Sequence, residues 1–73
     1  MDSNRLFVAN FTNSVTNEEI EDLFTTYGDV KEVKILEGKG TGFVDMSSQS
    51  EAEKAKKALN GTVFKGRPLK VIK

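Results

Sequence analysis

Lys39-Gly40-Thr41-Gly42-Phe43-Val44-Asp45-Met46 reads as a β-strand with one residue out of place. Alternate residues of a strand point to opposite faces. Gly42, Val44 and Met46 then share one face, and Thr41, Phe43 and Asp45 share the other. A phenylalanine beside a threonine and an aspartate is costly if that face meets water, since leaving it unburied forfeits about 1.5–3 kcal/mol. The same pattern recurs near the start of the chain, in Arg5-Leu6-Phe7-Val8-Ala9-Asn10, a short apolar strand candidate. There Leu6 and Val8 fall on one face, and Phe7 falls between Arg5 and Ala9 on the other.

The segments between and beyond these strands complete an order of elements. Thr16 and Glu19 have capping-box spacing, acidic residues fill the next turn, and Ile20, Leu23, Phe24 and Tyr27 recur at helical spacing. Gly28 is expected to stop that helix. Residues 30–36 read as a strand with Val33 and Ile35 on one face and Glu32, Lys34 and Leu36 on the other. Glu37-Gly38 is expected to turn it into strand 39–46 as a tight hairpin. Ser50 and Glu53 repeat the capping-box spacing, Ala52, Ala55 and Leu59 make a narrow apolar stripe, and Asn60-Gly61 closes the second helix. Residues 68–73 read as the last strand, with Pro68 tolerable as its first residue.

Strand, helix, strand, strand, helix, strand is the ferredoxin-like split arrangement. The fold class expected is α+β: a βαββαβ sandwich with a four-stranded antiparallel sheet and two helices on one face, formed as a single domain over residues 1–73. Four strands make a sheet about 19 Å wide, and two helices of about 10 Å diameter cover that width once. Nothing remains for the second face. The covered face takes Leu6, Val8, Val33, Ile35, Gly42, Val44, Met46, Leu69 and Val71. The bare face takes Arg5, Phe7, Ala9, Glu32, Lys34, Thr41, Phe43, Asp45, Lys70 and Ile72. Phe7 and Phe43 are therefore expected side by side in water, which suggests that something else covers them in use.

Composition narrows the function. The 73 residues hold no cysteine and no histidine. This removes thiolate chemistry, the commonest general base and the commonest metal ligand. Ser14, Ser47, Ser48 and Ser50 have no histidine to activate them, and Gly38 and Gly40 do not form a phosphate-cradling loop that opens a helix. Catalysis, a cofactor and a bound metal are not expected. No apolar run approaches the ~20 residues of a membrane span, and the first residues lack the pattern of a secretory signal. A soluble intracellular domain, cytoplasmic or nuclear, is expected. Eleven basic residues balance eleven acidic ones, so electrostatics alone gives little affinity for a polyanion.

Leu6–Phe11 and Lys39–Met46 together resemble the hexapeptide and octapeptide of the RNA recognition motif family, and the "ALNG…GRPLKV" ending resembles the family's too. The resemblance covers nearly the whole chain. It implies a module that binds single-stranded RNA by stacking bases on sheet aromatics. Phe7 matches the hexapeptide's stacking position, Phe43 the octapeptide's second stacking position, and Lys39 its leading basic residue. Thr41 stands where the family usually has an aromatic, so one of three platforms is missing. Met46 replaces a final aromatic but faces the core. The loop between the middle strands is shorter than usual. A weak binder with a footprint of about two to four nucleotides is expected.

Around the rings, Arg5, Lys34 and Lys70 are candidates for nucleic-acid contact, with plain solubility as the alternative for each. Thr41 and Asp45 are candidates for reading base edges, although Asp45 would repel phosphate. Asn10 is a candidate contact, with capping of the following turn as the favoured alternative. Phe64 is expected to pack over the second helix, Phe11, Phe24 and Tyr27 in the core, and Lys54, Lys56 and Lys57 on a solvated helix face. The expected partner is single-stranded RNA, with single-stranded DNA not separated from it, bound by a monomer and without a membrane. The competing reading is a protein-interaction module that takes a peptide or partner through its acidic first helix, Glu18, Glu19, Glu21 and Asp22. Related domains of that kind carry an arginine two residues before a phenylalanine ahead of the last strand. Here that position is Thr62.

Overall fold

Period-two alternation builds three strands as expected: β1 (Arg5–Ala9), β2 (Val30–Leu36) and β3 (Thr41–Met46). The computed structural model describes residues 4–12, 14–36, 38 and 40–72. Lys39, the Glu37 half of the expected turn, and Lys73 lie outside the described residues. The remaining elements are α1 (Asn17–Thr25), α2 (Gln49–Leu59), a two-stranded ribbon of β4 (Val63–Phe64) and β5 (Arg67–Pro68), and β6 (Lys70–Ile72). The sheet runs β2-β3-β1-β6, every neighbouring pair antiparallel, so the two strands carrying Phe7 and Phe43 lie side by side at its centre.

Both helices cover one face. Ile20 and Phe24 of α1 and Ala52, Ala55 and Leu59 of α2 join Leu6, Val8, Val44, Met46, Leu69 and Val71 in one buried cluster, with Val33 and Ile35 packed at its margin. Gly42 sits on this covered face because nothing larger fits. A Cβ there would lie 2.4 Å from the Lys34 carbonyl oxygen and 3.0 Å from Ile35 Cα, both backbone atoms of β2.

The helix ends differ from the sequence reading in instructive ways. Thr16 and Glu19 form the expected reciprocal box: Thr16 Oγ1 accepts from the Glu19 N–H at 3.2 Å, and Glu19 Oε1 accepts from the Thr16 N–H at 3.0 Å. The helix, however, ends at Thr25, two residues before Tyr27, which is only partly buried. Gly28 is not a left-handed cap. It is small because the start of α2 presses on it: an added Cβ would meet Glu51 Cβ at 2.6 Å. The second helix begins two residues earlier than Ser50 predicts. Ser48 is the N-cap, accepting from the Glu51 N–H at 3.2 Å. The Glu51 carboxylate then accepts from Ser47 Oγ, a hydrogen bond that holds it below the usual glutamate range.

The β4–β5 ribbon is absent from the sequence reading, which takes Pro68 as the start of the last strand. Lys65 and Gly66 turn it, both with positive φ (53° and 86°), the backbone of a type I′ turn. Lys65 Nζ reaches Glu19 Oε2 at 2.6 Å and so ties the ribbon to α1. This contact, with the Thr16 N–H, lowers the Glu19 pKa. Phe64 packs against the buried cluster to which α2 contributes Ala52, Ala55 and Leu59, and it borders a shallow hollow with Leu23, Asp22 and Thr26.

Candidate nucleic-acid interface

Strand register arranges the open face in three rows. Across the middle run Lys34, Phe43, Phe7 and Ile72, each opposite the next on neighbouring strands. To one side lie Glu32, Asp45 and Arg5, and to the other Leu36, Thr41, Ala9 and Lys70. Phe7 is 48% exposed and Ile72 47% exposed. Directly opposed residues of an antiparallel pair hold their Cβ atoms about 4.5–5.5 Å apart, so Phe7, Phe43 and Ile72 make one continuous apolar strip in a polar surround. Ile72 was placed on this face by alternation but was not singled out. Its signal is a large apolar residue on a face that, apart from the two rings and Leu36, is charged or small.

Arg5 and Asp45 are not independent. Arg5 Nε donates to Asp45 Oδ1 at 2.7 Å and its second nitrogen to Oδ2 at 2.9 Å, a bidentate pair. The same guanidinium lies over the Phe43 ring, 4.0 Å from its centroid. The hydrogen bonds from Arg5 hold the Asp45 carboxyl below the ordinary aspartate range. Three consequences follow. Asp45 is neutralised locally, both its oxygens are engaged, and Phe43 is partly covered where Phe7 is bare. A base edge that donates to Asp45 would have to share an oxygen with Arg5, and Arg5 meets a ligand with its charge already paired.

Asn10 does not cap the turn that follows it. It has φ of 71° at the end of β1, its Nδ2 donates to the Pro68 carbonyl at 2.7 Å, and its Oδ1 accepts from Arg67 at 3.2 Å. It therefore fastens the centre of the sheet to the segment entering β6. Lys34 and Lys70 are exposed at opposite ends of neighbouring rows, and Thr41 is partly buried between Leu36 and Ala9. Of the nine candidate residues, eight converge on this face or its edge. Lys39 is outside the described residues.

An antiparallel sheet with helices behind it and an apolar strip in front defines a class of protein: an α+β sandwich with one sheet face left open. Residues 6–70 match the family model for the RNA recognition motif, and the chain belongs to that family. Among its relatives, human paraspeckle component 1 is 43% identical over 67 residues, which is 92% of this chain and 13% of that protein. Protein no-on-transient A of Drosophila melanogaster is 41% identical over 68 residues, 93% of this chain and 10% of that protein. The chain thus spans a small fraction of the length of these relatives. A chain of the C. elegans NONO-1 homodimer superposes with TM-score 0.89 at 38% identity, covering 96% of this chain and 28% of that one. The RRM domain of S. pombe Puf1 gives 0.87 at 31% identity, covering 94% and 95%. Membership supports RNA binding as the general function of this domain, that of a binding module.

Proposed function

We propose that the chain binds single-stranded RNA on the open sheet face, weakly and over about two to four nucleotides. The observation that carries this reading is the direct pairing of Phe7 with Phe43 on the helix-free face, with Ile72 and Lys34 completing the row. One base stacks on the bare Phe7 ring, with Ile72 as its apolar flank. A second lies on the outer side of the Arg5 guanidinium, since bases stack on guanidinium planes as they do on aromatic rings. Keeping Arg5 in place preserves two charge-assisted hydrogen bonds that a base on Phe43 itself would break. Thr41 leaves the third position without a platform, which forfeits about 1–3 kcal/mol of stacking.

Amide shifts followed by NMR test this. A randomised short RNA pool is expected to move residues 5–9, 34–36, 41–45 and 70–72, and the matching DNA pool shows whether hydroxyl contacts separate the two. Shifts confined to α1 and the β4–β5 ribbon would instead favour a peptide partner at the hollow beside Phe64. The Phe7→Ala, Phe43→Ala double variant is expected to lose binding while keeping a native spectrum.

A further inference from the structure

Beyond the stacking rings, the end of the sheet at Ala9 and Lys70 opens into a concavity of about 610 Å³. Ala9, Asn10, Thr12, Gly40, Arg67 and Lys70 border it. Among the described residues no carboxylate lines it. The cations around the open face divide into two groups. Arg5 is held by Asp45, and Lys65, on the ribbon, by Glu19. Arg67, Lys70 and, at the opposite edge of the sheet, Lys34 form no ion pair with a described residue. Arg67 is nevertheless positioned, because Asn10 Oδ1 accepts from it at 3.2 Å while Asn10 Nδ2 grips the Pro68 carbonyl at 2.7 Å. Asn10 does this from a left-handed backbone that asparagine tolerates better than most residues. One nitrogen of a five-donor fork is used, and the remaining donors suit the oxygens of a phosphate.

We propose that this concavity is a phosphate subsite, in which Arg67 and Lys70 hold the backbone phosphate adjoining the nucleotide stacked on Phe7. Ala9 is two residues along β1 from Phe7, about 7 Å, so the concavity begins one step from the ring. The inference rests on the sheet-face reading of RNA binding and extends the footprint beyond the aromatic strip. Asn10 acts here as a positioning residue that aims Arg67.

The test compares randomised trinucleotide RNAs bearing hydroxyl ends, a 5′-phosphate or a 3′-phosphate, titrated against the wild-type chain, Arg67→Gln and Arg67→Lys. A terminal phosphate at one end is expected to tighten wild-type binding about fivefold, the scale of one exposed charge pair. The gain should fall below about twofold in Arg67→Gln and survive in Arg67→Lys. Trinucleotide binding with no gain at either end, or an equal gain in wild type and Arg67→Gln, overturns the subsite and leaves the sheet-face reading standing. No binding of any trinucleotide to the wild type overturns the sheet-face reading and the subsite with it.

Discussion

Phe7 and Phe43 are paired residues with different surroundings, and they should respond differently to truncation. Phe7→Ala removes a half-exposed ring with no polar partner to orphan. It is expected to weaken binding of short single-stranded RNA by about 1–3 kcal/mol while leaving the denaturant midpoint nearly unchanged. Phe43 works with Arg5, so the two should be non-additive. In a double-mutant cycle, Arg5→Ala with Phe43→Ala is expected to cost clearly less RNA affinity than the sum of the singles, because each single already breaks the same stack. Additive losses would mean that the base lies on Phe43 after Arg5 has swung away. Asp45 gives this stack a pH dependence of known sign. Its pKa is lowered in the folded chain by the Arg5 hydrogen bonds. Its contribution is therefore present above the unfolded aspartate pKa and is lost as pH falls through the folded one, below about 4. Asp45→Asn should flatten that acid limb in a stability-versus-pH series, and an unchanged limb would detach the clamp from folding.

Among the elements, β3 and α2 carry the most telling substitutions. Gly42→Ala places a methyl group against the backbone of β2, at 2.4 Å from a carbonyl oxygen, where no side chain can rotate away. A loss of about 1–3 kcal/mol in urea unfolding is expected. Ser48→Ala should cost about 0.5–2 kcal/mol as the loss of an N-cap, whereas Ser50→Ala, inside the helix and exposed, should cost nothing or stabilise slightly. Equal effects would restore the sequence reading. That reading placed α1 by its box because one Ser/Thr-x-x-Glu spacing precedes one apolar stripe. Ser47-Ser48-Gln49-Ser50-Glu51-Ala52-Glu53 offers two such spacings, and tertiary contact chooses between them: Ser47 donates its N–H to the Asp29 carbonyl at 2.9 Å, which fixes the start of the helix. The β4–β5 ribbon was illegible for another reason. Lys-Gly is a weak substitute for the Asn-Gly or Asp-Gly that announces a type I′ turn. Period-two alternation, by contrast, sorts the two faces of β1, of β3 and of β2 from Glu32 onward, a register shift between Val30 and Glu32 interrupting it before that. It could not show that Arg5 opposes Asp45, because that depends on the register of strands 40 residues apart in sequence.

For the whole molecule, charge is balanced, eleven against eleven, so what matters is which cations an RNA strand can reach. Lys54 and Lys57 are exposed on α2, behind the sheet. On the open face Arg5 is already neutralised by Asp45, leaving Lys34 and Lys70, with Arg67 at the sheet's end. Two to three phosphate contacts give a slope of log K against log salt of roughly −1.4 to −2.1 for a single strand. Affinity should then fall only about tenfold between 50 and 200 mM salt. Lys34→Gln and Lys70→Gln should each reduce the slope by about 0.7, and Lys54→Gln should not change it. A wild-type slope steeper than about −4 would demand more phosphate contacts than this face has cations. It would move the nucleic acid onto the helical side, where Lys54 and Lys57 wait. A slope near the predicted value, unaffected by Lys54→Gln and reduced by Lys70→Gln, places the strand across the aromatic row and toward Arg67.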